Sequence, residues 1–147
     1  MAHSIETKEQ FVELWTKTYN TDGKPDWSHI LPYYDKDIHF RDSIQEIRGI
    51  EEFTKMTERL TERSKDLEMV IHKCVMVQND IFFEWEMILS FKKYPKSSIY
   101  GMSRITLSDS GKIVEQRDYY DLWGDIFDNI PKFGFNRRYR KFMKKKF

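Results

Sequence analysis

The change of hydrophobic period near the middle of the chain constrains the fold more than any other feature of this sequence. Before residue 65, apolar residues recur at helical spacing, as in Phe11, Leu14 and Trp15. From Leu67 onward the period is two, which is typical of strands with one buried face. The strands are predicted over residues 67–77, 81–91, 99–107 and 112–120. Helices followed by an antiparallel meander predict an α+β domain.

Cap and turn residues set the limits of the predicted helices. Thr7 and Gln10 have the spacing of a capping box, and the 21–25 turn should end the first helix. The remaining elements are a short helical segment over 27–34, a strand over 37–41 and a helix from Gly49 to about Lys65. A curled sheet packed on these helices would leave a cone, and the mouth of a cone suits a small molecule.

Length and composition exclude several classes of protein. The 147 residues suit one domain, and aromatic residues, at 16%, are enough to line an apolar cavity. No apolar run approaches the ~20 residues of a membrane span, and the N-terminus lacks the pattern of a signal peptide. The lone Cys74 and the scattered histidines give no metal spacing, and no glycine-rich phosphate loop is present. We therefore expect a cytoplasmic protein without a metal or cofactor.

The positive charge is concentrated at the C-terminus. Residues 132–147 contain eight Lys and Arg and no acid, although the net charge of the whole chain is only +1. The body, residues 1–131, has seventeen bases against twenty-four acids, a net charge of −7. Pro131 and Gly134 should separate this body from a basic amphipathic helix. Such a helix could contact an anionic membrane surface, or dock on its own domain or on a second subunit; nucleic acid is not the expected partner.

Three stretches carry a resemblance to a known family. They are DIHFRDSIQEIRGIEEF, GMSRITLSDSGKIVEQRDYYD and DIFDNIPKFG. Together they resemble the SnoaL-like branch of the nuclear transport factor 2-like superfamily, and the last hairpin is also similar to that of limonene-1,2-epoxide hydrolases. The resemblance implies a cone-like curved antiparallel sheet on N-terminal helices, and a homodimer. The superfamily includes enzymes and proteins without catalysis, so the fold does not decide the function.

Two acids are the candidate catalytic residues. Strand alternation places Asp118 on one face with Gln116 and Tyr120, and Asp121 on the other, where it would cap the following helix. By resemblance, Asp118 matches a catalytic aspartate of the epoxide hydrolases, and Asp42 matches the general base of ketosteroid isomerases. Each also has a structural alternative: Asp118 could bind an internal Arg or Tyr hydroxyl, and Asp42 could accept backbone N–H groups in a turn.

The other candidates would line the pocket. The predicted ligand-binding residues are Trp15, Tyr34, Phe40, Glu86, Gln116 and Tyr120. By resemblance, the epoxide hydrolases carry an Arg and a second Asp on the strand of Glu84 and Glu86. Here no Arg lies at the matching places, either Glu84 or Glu86 lies opposite them, and both glutamates could simply face water.

Two functions follow from these candidates. The first is a cofactor-independent acid–base enzyme of the isomerase, cyclase, dehydratase or hydrolase type, acting on a small apolar substrate. The second is a non-catalytic ligand-binding protein or dimeric scaffold whose basic tail contacts a partner or membrane surface.

Overall fold

The computed structural model describes residues 2–64, 66–90, 96–127 and 135–147. In chain order, its helices are α1 (Lys8–Tyr19), α2 (Ile50–Arg63) and α3 (Phe135–Lys146). Its strands are β1 (Tyr34–Arg41), β2 (Glu46–Arg48), β3 (Asp66–Val77), β4 (Asp80–Ser90), β5 (Ser97–Leu107) and β6 (Ile113–Tyr120). Two 3₁₀ turns, Trp27–His29 and Leu31–Tyr33, precede β1, and a π-helical turn, Leu122–Phe127, follows β6.

The six strands form one curved sheet in the order β2-β1-β6-β5-β4-β3. The predicted α+β class and the meander of β3 to β6 are confirmed. The sheet is not wholly antiparallel, because β1 pairs parallel with β6. The three-residue strand β2 was not predicted, since residues 46–48 are too few to show a period of two and were read as the approach to a helix.

The ends of α1 are held by side chains. Gln10 N donates to Thr7 Oγ1 at 3.2 Å, so Thr7 caps the helix as predicted, whereas Gln10 Oε1 accepts its reciprocal bond from the backbone N–H of Glu6 at 2.9 Å and not from that of Thr7. At the other end, Asn20 pairs with the backbone of Met69 through two hydrogen bonds of 2.9 Å, donated by Asn20 Nδ2 and by Met69 N. Asn20 thereby fixes the end of α1 to β3.

Aromatic rings fill the space between the helices and the inner face of the sheet. Phe11 of α1 lies 5.0 Å from Phe83 of β4, and Phe53 of α2 lies 4.6 Å from Tyr34 and 5.6 Å from Phe40, measured between ring centroids. Contacts of this kind add to the free energy gained by burying apolar surface. This layer joins α1 and α2 to the inner face of the sheet.

The C-terminal helix α3 is present as predicted, and its basic residues from Arg138 to Lys146 are exposed. Tyr139 and Phe142 of the same helix are also largely exposed. The predicted break at Pro131 and Gly134 lies outside the described residues. The division into residues 1–131 and 132–147 therefore stays a prediction.

Candidate active site

Strand β6 turns two of its polar residues into the cone and others out of it. Gln116 is only 4% exposed and Asp118 is partly buried, whereas Tyr119 is 55% exposed on the outer face. Asp121 lies beyond the end of β6, and its Oδ1 accepts the backbone N–H of Gly124 at 2.8 Å. Asp118 thus lies within the strand beside Gln116, whereas Asp121 lies past its end and caps the Leu122–Phe127 turn.

Two donors hold the Asp118 carboxyl group. Ser103, its cross-strand partner on β5, donates from Oγ to Asp118 Oδ1 at 2.6 Å. Gln116 Nε2 lies 3.1 Å from Oδ1 and 3.3 Å from Oδ2. Because Oδ1 takes the shorter bond from each donor, Oδ2 is the oxygen more free to bind another molecule.

A second layer of aromatic donors orients these two residues. Trp85 Nε1 donates to Ser103 Oγ at 2.9 Å, so the Ser103 hydroxyl proton is directed to Asp118. Tyr34 donates from its hydroxyl to Gln116 Oε1 at 2.6 Å, which turns the Gln116 amide nitrogen toward Asp118. The carboxyl group is therefore held in one position by a connected network, as catalysis requires.

The environment shifts the proton affinity of the site. Burial raises the pKa of Asp118 to about 6, and the negative charge of Asp42 adds to the rise. The hydrogen bonds from Ser103 and Gln116 and the charge of Arg117 act in the opposite direction but do not cancel it. A carboxyl group with such a pKa can give or accept a proton close to neutral pH.

Three tyrosines near Asp118 stay neutral. Burial is the main cause that raises the pKa of Tyr19, Tyr34 and Tyr120, and the charge of Asp118 raises all three further. Their hydroxyl groups therefore remain hydrogen-bond donors over the whole physiological range.

Asp42 has both a turn role and a link to the site. Its Oδ1 accepts the backbone N–H groups of Ile44 at 2.8 Å and Gln45 at 2.9 Å, which is the structural alternative considered for it. Its Oδ2 accepts the Tyr120 hydroxyl at 3.2 Å. Asp42 thus lies beside the cluster, and one of its oxygens is committed to the turn.

Arg104 lies away from Asp118, on the outer face, where its Nη2 is 3.2 Å from Glu115 Oε2. Arg104 is therefore not the cation that acts on Asp118; the positive charge that lowers the pKa of Asp118 belongs to Arg117.

The other predicted lining residues divide between the two faces. Trp15 and Phe40 are buried in the core, and the Trp15 Nε1 atom has no hydrogen-bond partner among the described residues.

Glu86 is not brought to the cluster. Since Phe83 and Trp85 point inward from β4, alternation turns Glu86 outward, where it accepts from Ser98 Oγ at 2.7 Å and lies 3.0 Å from His72 Nε2. These bonds lower the pKa of Glu86.

Two residues of the network, Ser103 and Trp85, were not among the candidates, and neither was Tyr19, whose pKa the charge of Asp118 raises. Alternation along β5 could have identified Ser103, because it is the one hydroxyl residue in the middle of an inward row that otherwise contains Ile99, Gly101, Ile105 and Leu107, with Ser97 at its start. The bond from Trp85 depends on a contact between strands that no sequence period reports.

Within the described ranges, no three His, Cys, Asp or Glu side chains come together in a way that could hold a metal ion. None of the helices in that part of the chain is long and apolar enough to cross a membrane.

Replacing Tyr34 with phenylalanine tests the second layer. The change leaves Gln116 Oε1 buried without its 2.6 Å donor, so the amide is expected to rotate and to stop donating to Asp118. Because that hydrogen bond lowers the pKa of Asp118, its loss should raise the pKa above the present value of about 6. The carboxyl carbon shift of Asp118, followed by NMR from pH 4 to 9, measures this. An unchanged midpoint would show that Tyr34 does not orient Gln116.

Comparison with known proteins gives the family. The sequence model of the SnoaL-like domain matches residues 6–116. No curated protein matches the sequence significantly. Among solved structures, an LEH-like epoxide hydrolase from M. tuberculosis is 20% identical, with 88% of this chain and 94% of that chain covered and a TM-score of 0.68.

Two further structures have the same fold. A protein from Catenulispora acidiphila with a ketosteroid isomerase-like fold, solved with trimethylamine, is 15% identical, covers 84% of this chain and 93% of its own, and has a TM-score of 0.70. A candidate SnoaL-like polyketide cyclase from Jannaschia sp. CCS1 is 19% identical, covers 82% and 92%, and has a TM-score of 0.62. At these identities the likeness shows the fold alone. With the family match over residues 6–116, it follows that the chain belongs to the SnoaL-like domain family of the nuclear transport factor 2-like superfamily.

Proposed function

We propose that this protein is a cofactor-independent acid–base enzyme that acts on a small, largely apolar molecule, with Asp118 as the group that transfers the proton. One observation carries the proposal: a partly buried carboxyl group, its pKa raised to about 6, is held by two donors that are themselves oriented by Trp85 and Tyr34. A buried aspartate with only a structural role needs a hydrogen-bond partner, but that role does not require a pKa close to neutrality. Proton transfer does.

The chemistry would take place at Asp118 Oδ2. In the ionised form this oxygen can accept a proton from a substrate carbon or from a water molecule, and in the neutral form it can return the proton to the product. The neutral hydroxyl group of Tyr19 could stabilise negative charge that develops on a substrate oxygen, and that of Tyr120 could do so after turning away from Asp42. The surrounding rings would exclude water and favour an apolar substrate.

The reaction type stays open among isomerisation, cyclisation, dehydration and hydrolysis, each of which needs a proton transfer. The similar structures include proteins described as an epoxide hydrolase and as a candidate polyketide cyclase. An Asp-Arg-Asp arrangement for epoxide opening does not find support here, because Arg104 and Arg117 lie on the outer face. We therefore favour proton abstraction or transfer by a single carboxyl group.

A substrate panel tests the proposal. Small enolisable ketones, β-hydroxy ketones and epoxides of six to ten carbons, a size range chosen for an apolar pocket of ordinary volume, would be incubated with the wild-type protein and with Asp118→Asn. The asparagine variant should lose turnover of every compound that the wild type converts. Equal turnover in both proteins would remove Asp118 as the acid or base. The matched control is Asp37→Asn, the same change at an exposed acid on β1.

A second candidate function is a non-catalytic, dimeric ligand-binding protein. It is favoured by the outer sheet face, where Phe82, Tyr100, Met102 and Tyr119 are exposed. Such a surface is more typical of an interface than of a monomer. In this function the cone would bind its ligand without converting it. The exposed Tyr139 and Phe142 of α3, together with the lysines of the same helix, would contact an anionic surface or a partner.

The homodimer is expected under either function. Proteins of this superfamily bind small molecules and often form dimers. Sedimentation equilibrium at micromolar concentration should give twice the mass of the chain, and Met102→Glu, which adds a charge at the centre of the exposed patch, should shift the protein toward monomer. A wild-type protein that sediments as a monomer would contradict this prediction.

A further inference from the structure

Helix α3 turns one side toward the body of the protein. A Cβ atom built on Gly124, in the turn that follows β6, would lie 2.8 Å from Arg140 Nη2 and 2.8 Å from Asp121 Cγ. The guanidinium group of Arg140 therefore reaches this turn, next to the acid that caps it. The contact fixes which side of α3 faces the body.

The exposed aromatic rings of α3 lie on its other side. At about 100° of rotation per residue, Phe142 is about 160° around the helix from Arg140, and Tyr139 is about 60° from Phe142. The side chains are 54% exposed for Tyr139 and 55% exposed for Phe142. Neither residue belongs to the exposed patch of the outer sheet face, whose residues all lie on β4, β5 and β6. The homodimer expected through that patch therefore does not account for these rings.

Basic side chains surround the two rings. Arg138 and Lys145 lie four and three positions from Phe142, which places them on the same side of the helix. Lys146 Nζ lies 5.9 Å from the centroid of the Phe142 ring, and all three bases are exposed. Long basic side chains can extend past an apolar layer, so that their charges stay in water while neighbouring rings are buried. We call these three bases, with Tyr139 and Phe142, the basic aromatic face of α3.

The charge of the C-terminal segment selects an anionic partner. Residues 132–147 contain eight Lys and Arg and no acid, whereas residues 1–131 carry a net charge of −7. An anionic partner would be attracted by α3 and repelled by the rest of the chain. A lipid surface has an apolar layer directly beneath its charged groups, and this combination matches two exposed rings among lysines and arginines. A nucleic acid matches the charges but not the arrangement of the rings on one face.

We propose that α3 is an interfacial helix that lies on an anionic phospholipid surface, with Tyr139 and Phe142 buried at the level of the headgroups. The bases of the basic aromatic face would contact the lipid phosphates, while Arg140 on the opposite side keeps the helix attached to the body. The proposal rests on the surface contact that the second candidate function assigns to α3. It does not depend on whether the cone converts its ligand.

Vesicle sedimentation with the full chain tests the proposal. Vesicles of phosphatidylcholine alone would be compared with vesicles in which about a third of the lipid is phosphatidylglycerol. We expect the protein to bind the anionic vesicles at least about tenfold more tightly than the neutral ones, because each base near the surface adds attraction. Raising the salt from about 0.1 M to about 0.5 M should release it, because salt screens that attraction. Equal binding to both kinds of vesicle, or binding to neither, would overturn the proposal.

Charge variants locate the contact. Lys145→Gln combined with Lys146→Gln should weaken binding to the anionic vesicles about tenfold or more. The matched control is Lys24→Gln combined with Lys36→Gln, which removes the same charge from two exposed positions of the body. Its affinity should stay within about twofold of the wild type, because surface charges act only over about 10 Å. An equal loss in both double variants would show that net charge alone drives binding, and the proposal would be wrong.

The rings are tested separately from the charges. Phe142→Ala should weaken binding to the anionic vesicles about tenfold, because the ring contributes by leaving water. Val77→Ala is the control, since Val77 is an apolar residue of the body that is 60% exposed, and it should bind like the wild type. Full binding in Phe142→Ala would contradict burial of the ring in the headgroup layer.

Other partners of α3 are outcomes of the same experiments. Tighter binding to a short DNA duplex than to the anionic vesicles would replace the lipid surface by a nucleic acid. If the Lys145→Gln and Lys146→Gln double variant changed a wild-type dimer into a monomer, α3 would dock on a second copy, and the proposal would fall. Asp118→Asn should bind vesicles like the wild type, so a failure of the acid–base function and a failure of this proposal are told apart.

Discussion

Asparagine at position 118 is expected to abolish turnover and, at neutral pH, to make the protein more stable. Asparagine has nearly the shape of aspartate and can still accept from Ser103, but it cannot take up or release the proton. A positioned acid or base contributes a factor of about 10²–10⁴ to a rate, so activity should fall by that amount. Steady-state turnover of any substrate found in the panel measures the loss.

The gain in stability follows from the raised pKa of Asp118. Its value in the folded protein is about 6, against 3.8 for an aspartate in the unfolded chain, so the folded state binds the proton more tightly than the unfolded chain does. The resulting stabilisation is fully present below pH 3.8 and is lost as the pH rises through 6. A shift of this size corresponds to about 3 kcal/mol at most, at about 1.4 kcal/mol per pKa unit.

Urea denaturation at several pH values from 4 to 8 tests the direction in which the free energy of unfolding changes with pH. The free energy of unfolding of the wild type, relative to that of Asp118→Asn, should decrease between pH 4 and pH 7. Taking the difference between the two proteins removes the contributions of Glu46 and Glu86, whose pKa values are lowered and which act in the opposite direction. A difference that is constant with pH would show that Asp118 titrates as it does in the unfolded chain.

Alanine at position 101 is expected to destabilise the sheet and to displace Trp85. A β-carbon on Gly101 would lie 2.6 Å from Cη2 and 2.7 Å from Cε2 of the Trp85 ring, both far inside van der Waals contact. The ring packs directly on the glycine, and it cannot move without losing its 2.9 Å bond to Ser103. Overpacking of this kind costs about 1–3 kcal/mol. Urea denaturation gives the loss, and a red shift of tryptophan fluorescence reports the displaced ring.

Gly23→Ala is the matched control for that substitution. No atom lies within 4 Å of a β-carbon built on Gly23. Its free energy of unfolding should therefore change by no more than about 0.5 kcal/mol. If Gly101→Ala is equally harmless and its fluorescence is unchanged, Trp85 does not depend on close approach to the glycine, and the orientation of Ser103 has another cause.

Much of the architecture was predictable because it depends on local periods. The alternation along β6 separates Gln116 and Asp118 from Tyr119, and it did so correctly because no bulge interrupts the strand between them. The same rule, applied to β4, already indicated that Glu86 could face water, and the structure turns it outward. The cap at Thr7 was equally predictable, since its hydrogen-bond partner lies three residues away.

What only the tertiary structure decided is which residues meet across strands and how strongly burial acts on them. Ser103 faces Asp118 because of the register between β5 and β6, and Tyr34 reaches Gln116 across 82 positions of sequence. Arg41 likewise lies opposite Arg117 only because β1 lies parallel beside β6. Periodicity is a property of one strand, whereas register, parallel pairing and desolvation are properties of several packed together. The sequence by itself therefore determined which face Asp118 occupies, and the packing of the sheet decided its partners and its pKa.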